Sequence, residues 1–159
     1  MTVAYVAIGS NLDNPRAQVL KAFAELDGLP RTRLVRRSSL YRSAPLGYAE
    51  QPEFINAVAQ LDTGLPAERL LAELREIEAR HGRSRSFPNA PRTLDLDVLL
   101  YGEAALALPG LAIPHPRMHE RAFVLKPLTE ISPEVTIPGR GPAKALLEYC
   151  KGQQAERID

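Results

Sequence analysis

The sequence predicts an α+β fold in which a βαββαβ succession builds one antiparallel sheet with helices on one face. Three observations carry this prediction. Apolar residues alternate with a period of two over 32–42, 54–62 and 93–101, recur at helical spacing over 15–27 and 66–81, and are separated by turn residues in that order. The 159 residues, 45% hydrophobic and 25% charged, suit a single domain over 1–159 with a sizeable core.

The first strand is the continuous apolar run 2–8 (TVAYVAI), which Gly9-Ser10-Asn11 ends. Asn14 then reads as an N-cap and Pro15 as the first helical position; Val19, Leu20, Phe23 and Leu26 form one stripe, and Gly28 stops the helix. Residues 32–42 and 54–62 read as adjacent antiparallel strands. The 43–53 connection between them, with Pro45, Gly47 and Pro52, is longer than a hairpin needs, and long ordered loops tend to be functional. A second helix runs from about Pro66 to His81, with Leu70, Leu74 and Ile77 on one face and Gly82 as its stop. Strand 93–101 divides into Leu94, Leu96, Val98 and Leu100 against Thr93, Asp95, Asp97, Leu99 and Tyr101. This order is the split βαβ, ferredoxin-like arrangement, whose second sheet face is left open. A short strand segment at 105–113, a helix from about Arg117 to Lys126 cut by Pro127, and a weak helix from Pro142 complete the chain.

A net charge of +1 argues against a general polyanion binder, so no nucleic acid is expected. An RNA-binding sheet would carry aromatics on its central strands, and paired aspartates would repel the backbone. The lone Cys150 excludes an intramolecular disulfide framework. No apolar run approaches the ~20 residues of a membrane helix, and the N-terminus lacks a signal peptide's basic region, so a cytoplasmic protein without a membrane partner is expected.

The chemistry concentrates at Asp95 and Asp97. Two residues apart on a strand, they share a face, with Cβ atoms about 6.6 Å apart at a rise of roughly 3.3 Å per residue. Such a pair calls for a cation. Magnesium is favoured over zinc because the ligands are hard oxygens and no cysteine cluster exists; magnesium takes one or two carboxylates plus substrate phosphates. Arg83, Arg85 and Arg92 run directly into this strand, and guanidinium groups can neutralise a transferring phosphoryl group. No glycine-rich phosphate loop is present. His115 and His119 stand four apart, but Pro114 and Pro116 flank the first and no HExxH motif occurs, which favours His115 as a rigidly presented phosphate donor over a zinc ligand.

Several segments together resemble one family. They are AIGSNL (7–12), SLY (39–41) with PLG (45–47), QPEFINA (51–57), PRTLDLD (91–97), and IPHPRM (113–118) with ERAFVL (120–125). In this order they are similar to the 6-hydroxymethyl-7,8-dihydropterin pyrophosphokinases of folate biosynthesis. The resemblance implies transfer of the diphosphoryl group of ATP to the pterin hydroxymethyl, with release of AMP, by a monomer using two magnesium ions held by Asp95 and Asp97. It also implies that Arg83, Arg92, His115 and Arg121 contact the triphosphate, with Arg83 and Arg92 catalytic on a mobile loop, and that Glu78 lies near the adenosine. Phe54 and Phe123 would stack on the pterin, while Ser43, Pro45, Leu46, Asn56 and Asp95 complete its site. Asn89 stands where many members carry Trp.

Overall fold

The computed structural model describes residues 1–45, 51–82 and 93–159. The expected succession is present as β1 (Thr2–Ser10), α1 (Pro15–Asp27), β2 (Thr32–Arg37), β3 (Tyr41–Ser43), β4 (Phe54–Thr63), α2 (Ala67–Arg80) and β5 (Asp95–Tyr101). Beyond it lie a hairpin of β6 (Leu106–Leu108) and β7 (Leu111–Ile113), α3 (Ala122–Ile131), a small pair β8 (Thr136–Ile137) and β9 (Gly141–Pro142), α4 (Ala143–Leu147) and β10 (Glu156–Arg157). The main sheet has the order β10, β3, β4, β1, β5, with β2 also on β4, and every pairing is antiparallel. This is the α+β, ferredoxin-like topology that the periodicities predict.

Local chemistry accounts for the boundaries. Asn14 sits at φ 63 and accepts from Ala17 N at 3.5 Å, Pro15 occupies the first turn, and Gly28 N closes the helix on Ala24 O at 3.2 Å. Pro109-Gly110 turns the β6–β7 hairpin, with Gly110 at φ 75, a conformation that side chains resist.

Four expectations change. The 32–42 strand is two: at Ser38 the side-chain Oγ takes the Val58 amide at 2.9 Å and the ladder is interrupted there. The alternation of β5 breaks at a bulge, since Tyr5 pairs with Leu100 but Val6 with Val98. Leu99 and Leu100 consequently both pack with Tyr5, while Tyr101 turns to the other face and donates to Leu65 O at 2.5 Å. Pro127 does not end its helix, which continues to Ile131. An internal proline costs ~3 kcal/mol; burial of Leu128 and Ile131 offsets it, at about 1.5–3 kcal/mol for each aliphatic side chain.

The fourth concerns the open sheet face. One face packs Ala4, Val6, Ile8, Leu61, Leu96 and Val98 against α1 and α2. The other is not bare: Tyr5, Val58, Leu99 and Leu100 pack against Leu125 and Leu128 of α3 and Ala143 of α4. Only the end near Asp95 is left for a cleft. The cause is composition, because the last forty residues supply a second apolar stripe, and β10 adds an edge strand on β3 that the short ER pair does not announce.

Candidate active site

The cleft floor is set by strand register. Gly9 pairs with Asn56 on one side and Asp95 on the other; one step along, Ala7 pairs with Val58 and Asp97. Cross-strand partners share a face, so Asn56, Gly9 and Asp95 form one row and Val58, Ala7 and Asp97 the next. The small residues of β1 make the hollow. A Cβ added at Gly9 would stand 3.3 Å from Asn56 Oδ1 and 3.7 Å from Phe54 Cδ1, filling the space between amide and carboxylate.

The walls are Phe54 at the start of β4, Ser43 at the end of β3, His115, and Arg121 and Phe123 at the head of α3; the cleft they enclose is about 750 Å³ out to its open mouth. Asn56 is buried and donates Nδ2–H to Ser43 Oγ at 2.6 Å, which fixes the plane of its amide. Arg121 lies over the Phe123 ring, 5.6 Å from its centroid. Burial lowers the Arg121 pKa from its usual range, with Arg117 adding to the effect, while Asp97 and Asp95 pull it back up. It remains a cation.

His115 is held by its backbone, whose N–H donates to Leu99 O at 2.9 Å, and its Nδ1 accepts from Arg117 N at 3.1 Å. Burial, more than the neighbouring Arg121 and Arg117, lowers its pKa to about 4 against the pull of Asp95. The ring is therefore neutral near pH 7 with its proton on Nε2, a donor for an anionic oxygen. His119 pairs with Glu120 at 3.5 Å and is not part of this lining.

A second groove adjoins the first across Asp97 and His115, which line both. Leu71 and Arg75 of α2 form one side of it and the β6–β7 hairpin, through Leu108 and Ala112, the other. Sequence reading missed this groove. Its one signal is the Pro109-Gly110 turn, which marks a hairpin without saying where the hairpin folds. Glu78 lies below the groove, buried, with its carboxylate accepting from Arg75 Nη1 at 2.9 Å and from Leu96 N at 2.8 Å.

Eight residues singled out from the sequence thus line a single cleft: Ser43, Phe54, Asn56, Asp95, Asp97, His115, Arg121 and Phe123. Pro45 is half-buried two residues past Ser43 and is not part of the lining. Leu46, Arg83, Arg85, Asn89 and Arg92 lie outside the described residues. Among the described residues no third His, Cys, Asp or Glu joins Asp95 and Asp97 in a metal-holding cluster, and no helix is long and apolar enough to cross a membrane.

Residues 5–133, which contain every residue of this cleft, match the family model described as 7,8-dihydro-6-hydroxymethylpterin-pyrophosphokinase (HPPK). The chain belongs to the HPPK family. It is 49% identical over 154 residues to a 2-amino-4-hydroxy-6-hydroxymethyldihydropteridine pyrophosphokinase of Pseudomonas aeruginosa, a match covering 97% of this chain and 95% of the relative. It is 46% identical over 138 residues to the Haemophilus influenzae protein of the same name, covering 87% and 86%. The HPPK fold also recurs in the crystal structure of a Plasmodium falciparum HPPK-DHPS triple mutant with pteroate, at a TM-score of 0.70 and 12% identity. That match takes in 92% of this chain but 43% of the Plasmodium chain, so the HPPK chain described here spans less than half of that longer protein.

Proposed function

We propose that the protein transfers the diphosphoryl group of ATP to the hydroxymethyl oxygen of 6-hydroxymethyl-7,8-dihydropterin, releasing AMP, as a step of folate biosynthesis. The observation that carries this reading is the floor register, which sets the Asn56 amide on one side of Gly9 and the Asp95 carboxylate on the other, in a cleft that Phe54, Phe123 and Asp97 also line. A flat heterocycle with an amide-like edge fits the first half: Phe54 and Phe123 offer faces, and Asn56, oriented by Ser43, reads the edge. Pro45 and Leu46 would border the same end. The second half suits phosphate.

Asp95 and Asp97 are the residues that would hold magnesium. Two hard carboxylate oxygens without a soft ligand fit that ion, the remaining positions falling to phosphate oxygens and water. Two bound ions would bring the triphosphate to the acceptor hydroxyl and neutralise its charge. His115, neutral with Nε2–H, donates to a phosphate oxygen without adding charge, and Arg121 supplies a full one. Arg83 and Arg92, running into β5, would complete the clamp on the bond that breaks. The adjoining groove takes the nucleoside, with Glu78 beneath it.

The hydroxyl oxygen attacks the β-phosphorus, the bond between the α- and β-phosphates breaks, and AMP leaves; the hydroxyl proton is released. Without a general base in the described lining beyond the metal-paired aspartates, rate comes from positioning and electrostatics. One domain acting as a cytosolic monomer would suffice. The test is to mix purified protein with ATP, magnesium and the hydroxymethyl pterin and to resolve the nucleotide products. AMP in step with diphosphorylated pterin is expected; ADP, or no AMP, overturns the reading.

A further inference from the structure

We propose that Glu78, together with Arg75, is a positioning residue that sets the geometry of Asp95 and Asp97 by clamping the residue between them. The inference rests on the reading of those aspartates as the metal-binding pair. β5 is the edge of the main sheet, so every second residue turns its N–H and C=O away from β1. Such outward groups ordinarily bond to water and the strand is free to breathe. At Leu96 they do not meet water. Its N–H donates to Glu78 Oε2 at 2.8 Å, and its C=O accepts from Arg75 Nη1 at 3.0 Å. The same Nη1 reaches Glu78 Oε1 at 2.9 Å, which closes a ring of carboxylate, guanidinium and residue backbone.

Both side chains come from adjacent turns of α2, and the Leu96 side chain is fully buried against that helix. Leu96 is therefore fixed at three points, and its two neighbours leave it toward the cleft. That matters because Asp95 and Asp97 carry like charges and tend to splay unless the backbone between them is held.

Stability alone does not explain the choice of glutamate. A carboxylate whose side chain is 3% exposed is costly to desolvate, and an apolar residue there would pack at less cost. Its carboxylate instead holds Arg75 and the Leu96 amide, the groups that orient the aspartates. Arg75 also lines the second groove, so an occupant of that groove bears on the same clamp.

The test reads structure and metal binding, not turnover. Glu78→Ala, Glu78→Gln and Arg75→Ala would be compared with the parent by amide hydrogen exchange and by calorimetric titration with Mn²⁺ in the presence of a non-hydrolysable ATP analogue. Glu78→Ala is expected to speed exchange at Leu96 at least about tenfold relative to Ala7 on β1, and to weaken Mn²⁺ binding roughly tenfold, as removal of a group supporting a metal ligand does. Glu78→Gln, which keeps an oxygen for the Leu96 amide, should recover most of both. Should Glu78→Ala fail to fold, Arg75→Ala, at a side chain 37% exposed, should show both changes in smaller degree. Unchanged Leu96 exchange, unchanged Mn²⁺ affinity, or equal acceleration of all β1 and β5 amides would overturn the clamp. Absence of Mn²⁺ binding by the parent would instead overturn the metal assignment on which it rests.

Discussion

The two faces of the main sheet are made by the same strands and do opposite work. On the α1 and α2 side, Val6, Ile8, Leu61 and Leu96 alternate regularly and leave no space. On the other side the same alternation yields Ala7 and Gly9 on β1, Asn56 on β4, and Asp95 and Asp97 on β5, and packing stops where these begin. The filled half of this second face, around Tyr5, Leu100 and Leu125, meets the cleft at Leu99 and Val124. A strand thus presents stability on one side and chemistry on the other at one-residue intervals, so neighbouring substitutions should fail in different ways.

The largest separation is expected between Asp97 of β5, on the cleft side, and Leu74 of α2, in the core on the opposite side of the sheet. Asp97→Ala should lower kcat by at least about 10³-fold, the scale of losing a principal electrostatic group, while urea unfolding stays close to that of the parent. Ordinary turnover by the folded variant would remove Asp97 from the site. Leu74→Ala, in the filled core under α1 and α2 and fully buried, should do the reverse: a loss of about 2–5 kcal/mol in unfolding free energy with turnover per folded molecule unchanged. A large kcat effect from Leu74→Ala would show that the faces are mechanically coupled.

Most of the filled face was legible because its signals are local. The Val19, Phe23, Leu26 stripe, the Asn14 cap and the Leu70, Leu74, Ile77 row each sit within one element, and each is where the spacing puts it. The cleft was legible in part. Asp95 and Asp97 stood out because charge in a strand demands a reason, and His115 because two prolines flank it; the roles of Ser43, Phe54, Asn56, Arg121 and Phe123 came through resemblance. Gly9 was not, since one glycine after a strand reads as a turn; its meaning appears only when register sets it between Asn56 and Asp95. The bulge at Leu99 and the groove behind Arg75 depend on contacts remote in sequence, which no window of periodicity contains.

Gly9→Ala sharpens the comparison at the boundary of the two faces. The new methyl would stand 3.3 Å from Asn56 Oδ1, so that amide must shift by a few tenths of an ångström. The backbone of β1 accepts alanine, and stability should move by less than about 1 kcal/mol. Pterin affinity should fall roughly tenfold, about 1.4 kcal/mol, because the floor rises where the ring edge sits. Binding of an ATP analogue alone, by contrast, should be unchanged, and equal loss of both ligands would mean that the floor is shared.

The smallest effect separates the faces by pH. His115 belongs to the cleft wall, and burial holds its pKa at about 4, below the ordinary value of 6.5. Between those values the unfolded chain binds a proton that the folded chain refuses, so stability rises with pH over this window, is complete above pH 6.5 and is lost as pH falls towards 4. Solvent reaches part of the ring, and screening brings the expected difference to roughly 1 kcal/mol. His115→Gln should flatten unfolding free energy between pH 4.5 and 6.5 by that amount relative to the parent. Leu74→Ala should lower the whole curve without changing its slope, because the leucine side chain removed carries no titratable group. An unchanged slope in His115→Gln would place the refused proton elsewhere and return His115 to an ordinary solvated histidine.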